Sequence, residues 1–273
     1  MLVSNYLIAI KDFYHRIENK RQCFAKSSTH NCMICIMAAL LLIAPSGDEA
    51  FDIRDRRAMI SQVQKDTVFM GFFTGLFQID EKVLSSMLKV SRRNYVPLSY
   101  THKAYHNVAL PLYDDYYLPE PYMVALMLHM LDISPTDKVL EIGVDSGYHA
   151  TIMAYMADKV YSLPHVDLTD EAQINVPRSN RDIKDKIVVK SGDGFYGWKE
   201  KGPYNAILVK QAFEYVPHHL IEQLAVGGRM VVPVGSQNGT QKLMLFVKQD
   251  NGEIISRRLV DIQIAPLSEG KWI

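Results

Sequence analysis

Between residues 138 and 210 the chain repeats one pattern. Short apolar runs rich in Val and Ile, "KVLEIG" (138–143), "KVYSL" (159–163), "KIVVKSGDG" (186–194) and "YNAILVK" (204–210), are separated by helix-length mixed segments. Strands that alternate with helical stretches specify βαβ units and a parallel sheet. "GGRMVVPVG" (227–235) adds a strand, and "QKLMLFVKQDNGEIISRRLVDIQI" reads as two strands about an Asp-Asn-Gly turn, an antiparallel hairpin. Upstream the period is helical. "FDIRDRRAMISQVQKDTVF" (51–69) is one helix, and "DEKVLSSMLKVSRRNYVP" (80–97), apolar at 83, 84, 87, 88 and 90, is an amphipathic helix ended by Pro97. Residues 98–119 are aromatic, irregular and ordered. "PEPYMVALMLHMLDI" (119–133) enters a helix through proline and is apolar almost all round, which predicts burial. The expected architecture is α/β: an N-terminal extension (1–50), a helical lobe (51–119), and a doubly wound, mostly parallel sheet with a C-terminal antiparallel hairpin (120–273).

Composition narrows the partners. The 273 residues carry 30 basic and 30 acidic side chains, so the net charge is zero and nothing electrostatic points to nucleic acid or an anionic membrane. Cys23, Cys32 and Cys35 fall at the start of the chain; "CMIC" has CxxC spacing but lacks a second ligand pair, so no metal site is expected. The apolar segment "MICIMAALLLIAP" (33–45) is shorter than the ~20 residues a spanning helix needs. Lys20, Arg21 and Lys26 before it and small residues after it fit a signal-peptide core. The segment predicts an exported, periplasmic protein if it is a signal and a cytoplasmic one if it is a buried helix; Met33 is an alternative start.

In a doubly wound sheet the ligand lies beyond the carboxyl ends of the strands, near the point where strand order reverses. The first such end is "VLEIGVDSGYHATIMA" (139–154), where Gly143 and Gly147 bracket the turn. The pattern is not GxGxxG, and the Asp145 carboxylate opposes a pyrophosphate at the helix start. A phosphate-free cofactor with a cationic centre, S-adenosyl-L-methionine, suits it better. A tight strand-to-helix turn without ligand is the plainer alternative.

The segments "VLEIGVDSGYHA", "VYSL", "SGDGFYGW", "GPYNAILV", "LIEQLAVGGRMVVPVG" and "GEIISRRL", in this order, resemble the protein-L-isoaspartate (D-aspartate) O-methyltransferase family. "NYVPLSYTHKAYHNVALPL" and "PYMVALMLHMLDISPTDKVLEIG" extend the resemblance to about residues 80–267. It implies a Rossmann-like class I methyltransferase that binds S-adenosyl-L-methionine and methylates damaged aspartyl residues in proteins or peptides. By position, Glu141, Gly143, Ser146, Gly147 and Tyr148 would form the first cofactor loop, and Asp193 and Gly194 the "GDG" that addresses adenine. Gly227, Gly228 and Arg229 match a turn read here as structural. A carboxylate acceptor is already ionised at neutral pH, so no strong base is required, and positioning carries the catalysis.

Several positions depart from the family pattern. Pro164 stands where an acid usually meets the ribose, with Asp167 three residues on. Tyr117, Leu118 and Pro119 occupy the place of the family's Thr-Ile-Ser, which leaves the catalytic residue unassigned. Asp145 replaces a glycine, and Lys210 and Gln211 replace small residues. Tyr116, Tyr117 and Phe195 are candidates for a changed acceptor pocket. These substitutions sustain a second reading, a degenerate methyltransferase fold that binds a peptide or protein partner. A divalent cation on Asp114, Asp115 and Glu120 is the weakest alternative.

Overall fold

The computed structural model describes residues 47–113, 116–144, 146–164, 180–236 and 239–262. Asp114, Asp115, Asp145, Asp167, the three cysteines and the 33–45 segment lie outside them. Contacts divide the chain into two units, Met1–Phe51 and Asp52–Ile273, and every strand among the described residues belongs to the second.

Helix α1 (Gly47–Thr74) buries Met59, Ile60, Val63 and Thr67, a stripe at helical spacing. Helix α2 (Glu81–Lys89) starts at Asp80, whose carboxylate accepts a hydrogen bond from the Lys82 amide at 2.9 Å, a side-chain N-cap. It ends at Lys89, short of the expected Pro97. Val90 is extended, and Arg92–Tyr95 forms a separate 3-10 turn. Two causes act there. Val96, ahead of Pro97, takes the extended conformation that proline imposes on its predecessor, and the turn carries Arg92 and Tyr95 into the interior. The irregular segment then folds into a 3-10 helix at Leu98–Lys103 and a two-stranded antiparallel ribbon, β1 (Leu110–Tyr113) with β2 (Tyr116–Leu118). Helix α3 (Pro121–Leu131) has proline in its first turn, where no amide partner is lost. Val124, Ala125, Leu126, Leu128 and Leu131 along it are fully buried.

Among the described residues the main sheet has seven strands: β3 (Lys138–Val144), β4 (Lys159–Pro164), β5 (Ile187–Val189), β6 (Tyr204–Val209), β7 (Leu224–Val234), β8 (Gln241–Lys248) and β9 (Ile254–Ile262). Their order is β5-β4-β3-β6-β7-β8-β9, parallel from β5 to β7 and antiparallel from β7 to β9. The fold is therefore the doubly wound α/β class, with the strand order reversing between β3 and β6.

Because side chains alternate across a strand, the sheet sorts its residues by parity. Val139, Val160, Ala206, Leu208 and Val231 face one cluster with α1, α2, α3 and α4 (Tyr148–Ala154). Leu140, Ile142, Ile207, Val209, Met230 and Val232 face the other, with Trp198, Tyr204 and, from α5 (His218–Glu222), Leu220. On the first face, Glu141 and Ser162 share the parity of the apolar residues below them. One layer further toward the strand ends come Gly143, Pro164 and Lys210, so polar chemistry begins where the sheet stops.

Candidate functional site at the switch point

Three loops meet at Ile142, the last residue of β3 paired with β6. Its carbonyl accepts from the Lys210 amide at 3.0 Å, continuing the β3–β6 ladder past Val209. Its Cγ2 lies where a β-carbon on Gly194 would have to stand. Only glycine lets the 192–194 loop approach so closely. The turn after β3 needs glycine for a second reason, since Gly143 and Gly147 both have φ of +81°. Gly147 is the N-cap of α4, and Thr151 Oγ1 donates back to its carbonyl at 2.9 Å.

The predicted cofactor-loop residues Glu141, Gly143, Ser146, Gly147 and Tyr148 are thus brought together at one strand end, with Asp193 and Gly194 beside them. Their environments differ. Glu141 is fully buried; its Oε2 accepts from Ser162 Oγ at 2.8 Å, and its Oε1 lies 2.9 Å from Lys210 Nζ. Lys210 is itself only 5% exposed at the side chain, so this is a buried ion pair. Gln211 is 6% exposed and packs on the turn, its Cγ 2.8 Å from where a Gly143 β-carbon would be. The sequence marks Lys210 and Gln211 as substitutions for small residues without revealing what they do: both fill the crevice, and Lys210 compensates Glu141. The signal available was strand parity, because residue 210 continues the face of Leu208, whose register partner is Glu141.

Tyr148 is fully buried, and loss of hydration raises its hydroxyl to about 12, so it stays protonated. Its ring lies 5.4 Å from that of Tyr95 and 5.4 Å from the guanidinium of Arg92, a buried cation over an aromatic face. Arg92 Nη2 reaches the carbonyls of Val108 at 3.4 Å and Leu118 at 3.5 Å. Tyr95 OH donates to Thr151 Oγ1 at 2.9 Å. Arg92 therefore ties the first turn of α4 to the β1–β2 ribbon, a role that no sequence motif signals. In that ribbon Leu118 is buried, while Tyr117 is 45% exposed.

The 192–197 loop is held by the Asp193 side chain, by its own backbone and by Gln223, whose Nε2 donates to the Tyr196 carbonyl at 2.7 Å. Asp193 Oδ1 accepts from the Phe195 amide at 2.8 Å, and the Tyr196 amide donates to the Asp193 carbonyl at 3.2 Å. Asp193, Tyr196 and His219 line an open cavity of about 650 Å³. Phe195 packs edge-on against Phe213 and His219. Gly227 and Gly228 lie within β7 and not in a turn ahead of it, with Gly227 at φ of +74°, and Arg229 pairs with Asp132 at 3.3 Å. Among the described residues no group of three His, Cys, Asp or Glu side chains is placed to hold a metal. No helix among them is long and apolar enough to cross a membrane.

The family model for protein-L-isoaspartate (D-aspartate) O-methyltransferase matches residues 63–271. The protein-L-isoaspartate O-methyltransferase 2 of Polaromonas sp. strain JS666 is 39% identical over 71% of this chain and 92% of its own length. The protein-L-isoaspartate O-methyltransferase 1 of Cupriavidus necator is 35% identical over 85% of this chain and 90% of its own. A solved protein-L-isoaspartate O-methyltransferase superposes with a TM-score of 0.65 at 25% identity, over 78% of this chain and 66% of that one. A Plasmodium falciparum beta-aspartate methyltransferase in complex with S-adenosyl-L-homocysteine gives 0.66 at 22% identity, over 79% and 99%, a likeness of fold.

Proposed function

The chain belongs to the protein-L-isoaspartate (D-aspartate) O-methyltransferase family, and on that premise we propose that it is an S-adenosyl-L-methionine-dependent carboxyl O-methyltransferase acting on damaged aspartyl residues in proteins or peptides. The observation that carries this reading is the meeting of three loops at Ile142. The Gly143–Gly147 turn, with both glycines at φ of +81°, stands against the 192–194 loop, whose Gly194 touches Ile142. That backbone frame fits the cofactor. Its methionine half belongs with Glu141, Gly143, Ser146, Gly147 and Tyr148, and its adenine with Asp193 and Gly194. Lys210 and Gln211 narrow the methionine half without replacing either glycine turn.

When bound, the cofactor supplies an electrophilic methyl group on a cationic sulfur. The chain has to hold an acceptor carboxylate in line with it and keep water out. No proton has to leave an ionised acceptor, so the fully buried, protonated Tyr148 serves as a wall. Arg92 holds that wall to the ribbon carrying Tyr117, and Tyr117 is the exposed aromatic that an acceptor peptide would meet. Proximity of this kind is worth up to about 7–11 kcal/mol of barrier.

The test is transfer of labelled methyl from S-adenosyl-L-methionine to an isoaspartyl peptide. The full chain should label that peptide above both a boiled control and the matching aspartyl peptide. The Asp193→Ala variant should bind the cofactor more weakly. No labelling at saturating cofactor would reject the activity.

A second reading, a methyltransferase fold that only binds a peptide or protein partner, is favoured by one observation: Lys210 and Gln211 fill the crevice at the switch point. It predicts cofactor binding without labelling, or neither. The proposed boundaries remain a helical lobe at 51–119 and a methyltransferase domain at 120–273. Export is proposed from the composition of 33–45 alone. N-terminal sequencing of the mature protein should find a start after residue 44, and a chain that retains residues 1–44 in the cytosol would reject it.

A further inference from the structure

The floor of the switch-point crevice holds a pair of opposite charges. Glu141 Oε1 and Lys210 Nζ are 2.9 Å apart, Glu141 is fully buried, and Lys210 is 5% exposed. Glu141 sits one layer below the Gly143 turn and Lys210 level with it, and Gln211 packs against that turn. The two glycine turns and the 192–194 loop mark this crevice as the ligand site. Its two candidate ligands differ in one charge. S-adenosyl-L-methionine carries a sulfonium cation, and S-adenosyl-L-homocysteine, left once the methyl is transferred, carries a neutral thioether at the same atom.

We infer that Lys210 is a specificity-determining residue: by cancelling the Glu141 carboxylate it removes the crevice floor's preference for the cationic cofactor and raises the relative affinity for the demethylated product. A lone buried carboxylate at the floor would attract a sulfonium and leave a thioether unaffected. Buried charges are weakly screened, and both Glu141 and the Lys210 side chain are buried, so the effect of one unit charge persists over several ångströms. With the ammonium in place, that attraction is cancelled for the cation and unchanged at zero for the thioether. The cofactor therefore competes less well against the product as product accumulates. This inference rests on the methyltransferase reading, and its test separates the two.

The experiment is calorimetric titration of the full chain, its Lys210→Met and Glu141→Gln variants and the double variant, with each ligand in the same buffer at neutral pH. The readout is the ratio of the two dissociation constants. Lys210→Met should shift the ratio toward S-adenosyl-L-methionine by about tenfold, the size of ~1.4 kcal/mol. Glu141→Gln should shift it the opposite way, and the double variant, neutral like the native pair, should return to the native ratio. Melting curves establish that each variant is folded; if Lys210→Met is not, Glu141→Gln carries the test with the opposite sign. Ratios equal within twofold in every folded variant overturn the inference and leave the methyltransferase reading standing. Failure of the native chain to bind either ligand overturns both.

Discussion

At the residue scale, Glu141 and Lys210 each make the other's burial tolerable. An ionised group taken out of water costs several kcal/mol, which a partner at 2.9 Å and the Ser162 hydroxyl offset here. Removing one partner leaves the other charge stranded. Lys210→Met should therefore lose about 3–5 kcal/mol of folding stability in urea, whereas Glu141→Gln with Lys210→Met should recover most of that loss. A double variant as unstable as the single one would mean that packing, and not charge, holds this position. Gly143 is legible from the sequence as a turn glycine, and its φ of +81° agrees. The occupant of the space beside it is not legible, because Gln211 reaches it only through the β3–β6 pairing.

At the element scale, α3 buries nine of its 11 residues, and its apolar composition announced as much. Leu128 is fully buried in the larger core cluster, so Leu128→Ala should cost about 2–5 kcal/mol, read as a lowered urea midpoint with unchanged slope. The last turn of α3 also carries a proton switch. His129 Nδ1 accepts from the Asp80 amide at 3.1 Å, joining α3 to the N-cap of α2. Burial lowers its pKa from the ordinary 6.5, against the pull of the Asp80 and Asp132 carboxylates and with a small push from Lys82. The neutral form is thus the folded form's preference. Its contribution to stability is full above pH 6.5 and is lost as the pH falls through the lower folded value. His129→Asn should flatten the stability profile on the acid side of pH 6.5. An unchanged slope would remove His129 from the account. Helix α2 illustrates the opposite case to α3. Its apolar spacing ran on past Lys89, yet the chain leaves the helix there because Arg92 and Tyr95 are drawn inward to Tyr148.

At the scale of the whole molecule, binding in the crevice should be felt as stability. A ligand at a hundred times its dissociation constant adds about 2.7 kcal/mol. For a chain of this size, S-adenosyl-L-homocysteine at that excess should raise the melting midpoint by about 5–10 °C. No shift at millimolar ligand would argue for the binding-protein reading. The sequence by itself determined the fold class. Alternating apolar runs, turn glycines and the hairpin signal are local patterns that each specify one element, and their order specifies a doubly wound sheet. It also placed Gly143, Gly147, Asp193 and Gly194 at strand ends, because those turns are encoded where they occur. Only the tertiary structure decided which strand ends are neighbours. Glu141 meets Lys210, and Arg92 meets Tyr148 and Leu118, through pairings between segments far apart in the chain. No periodicity records such a partner, since a buried charge is satisfied by whatever the packed sheet brings within reach.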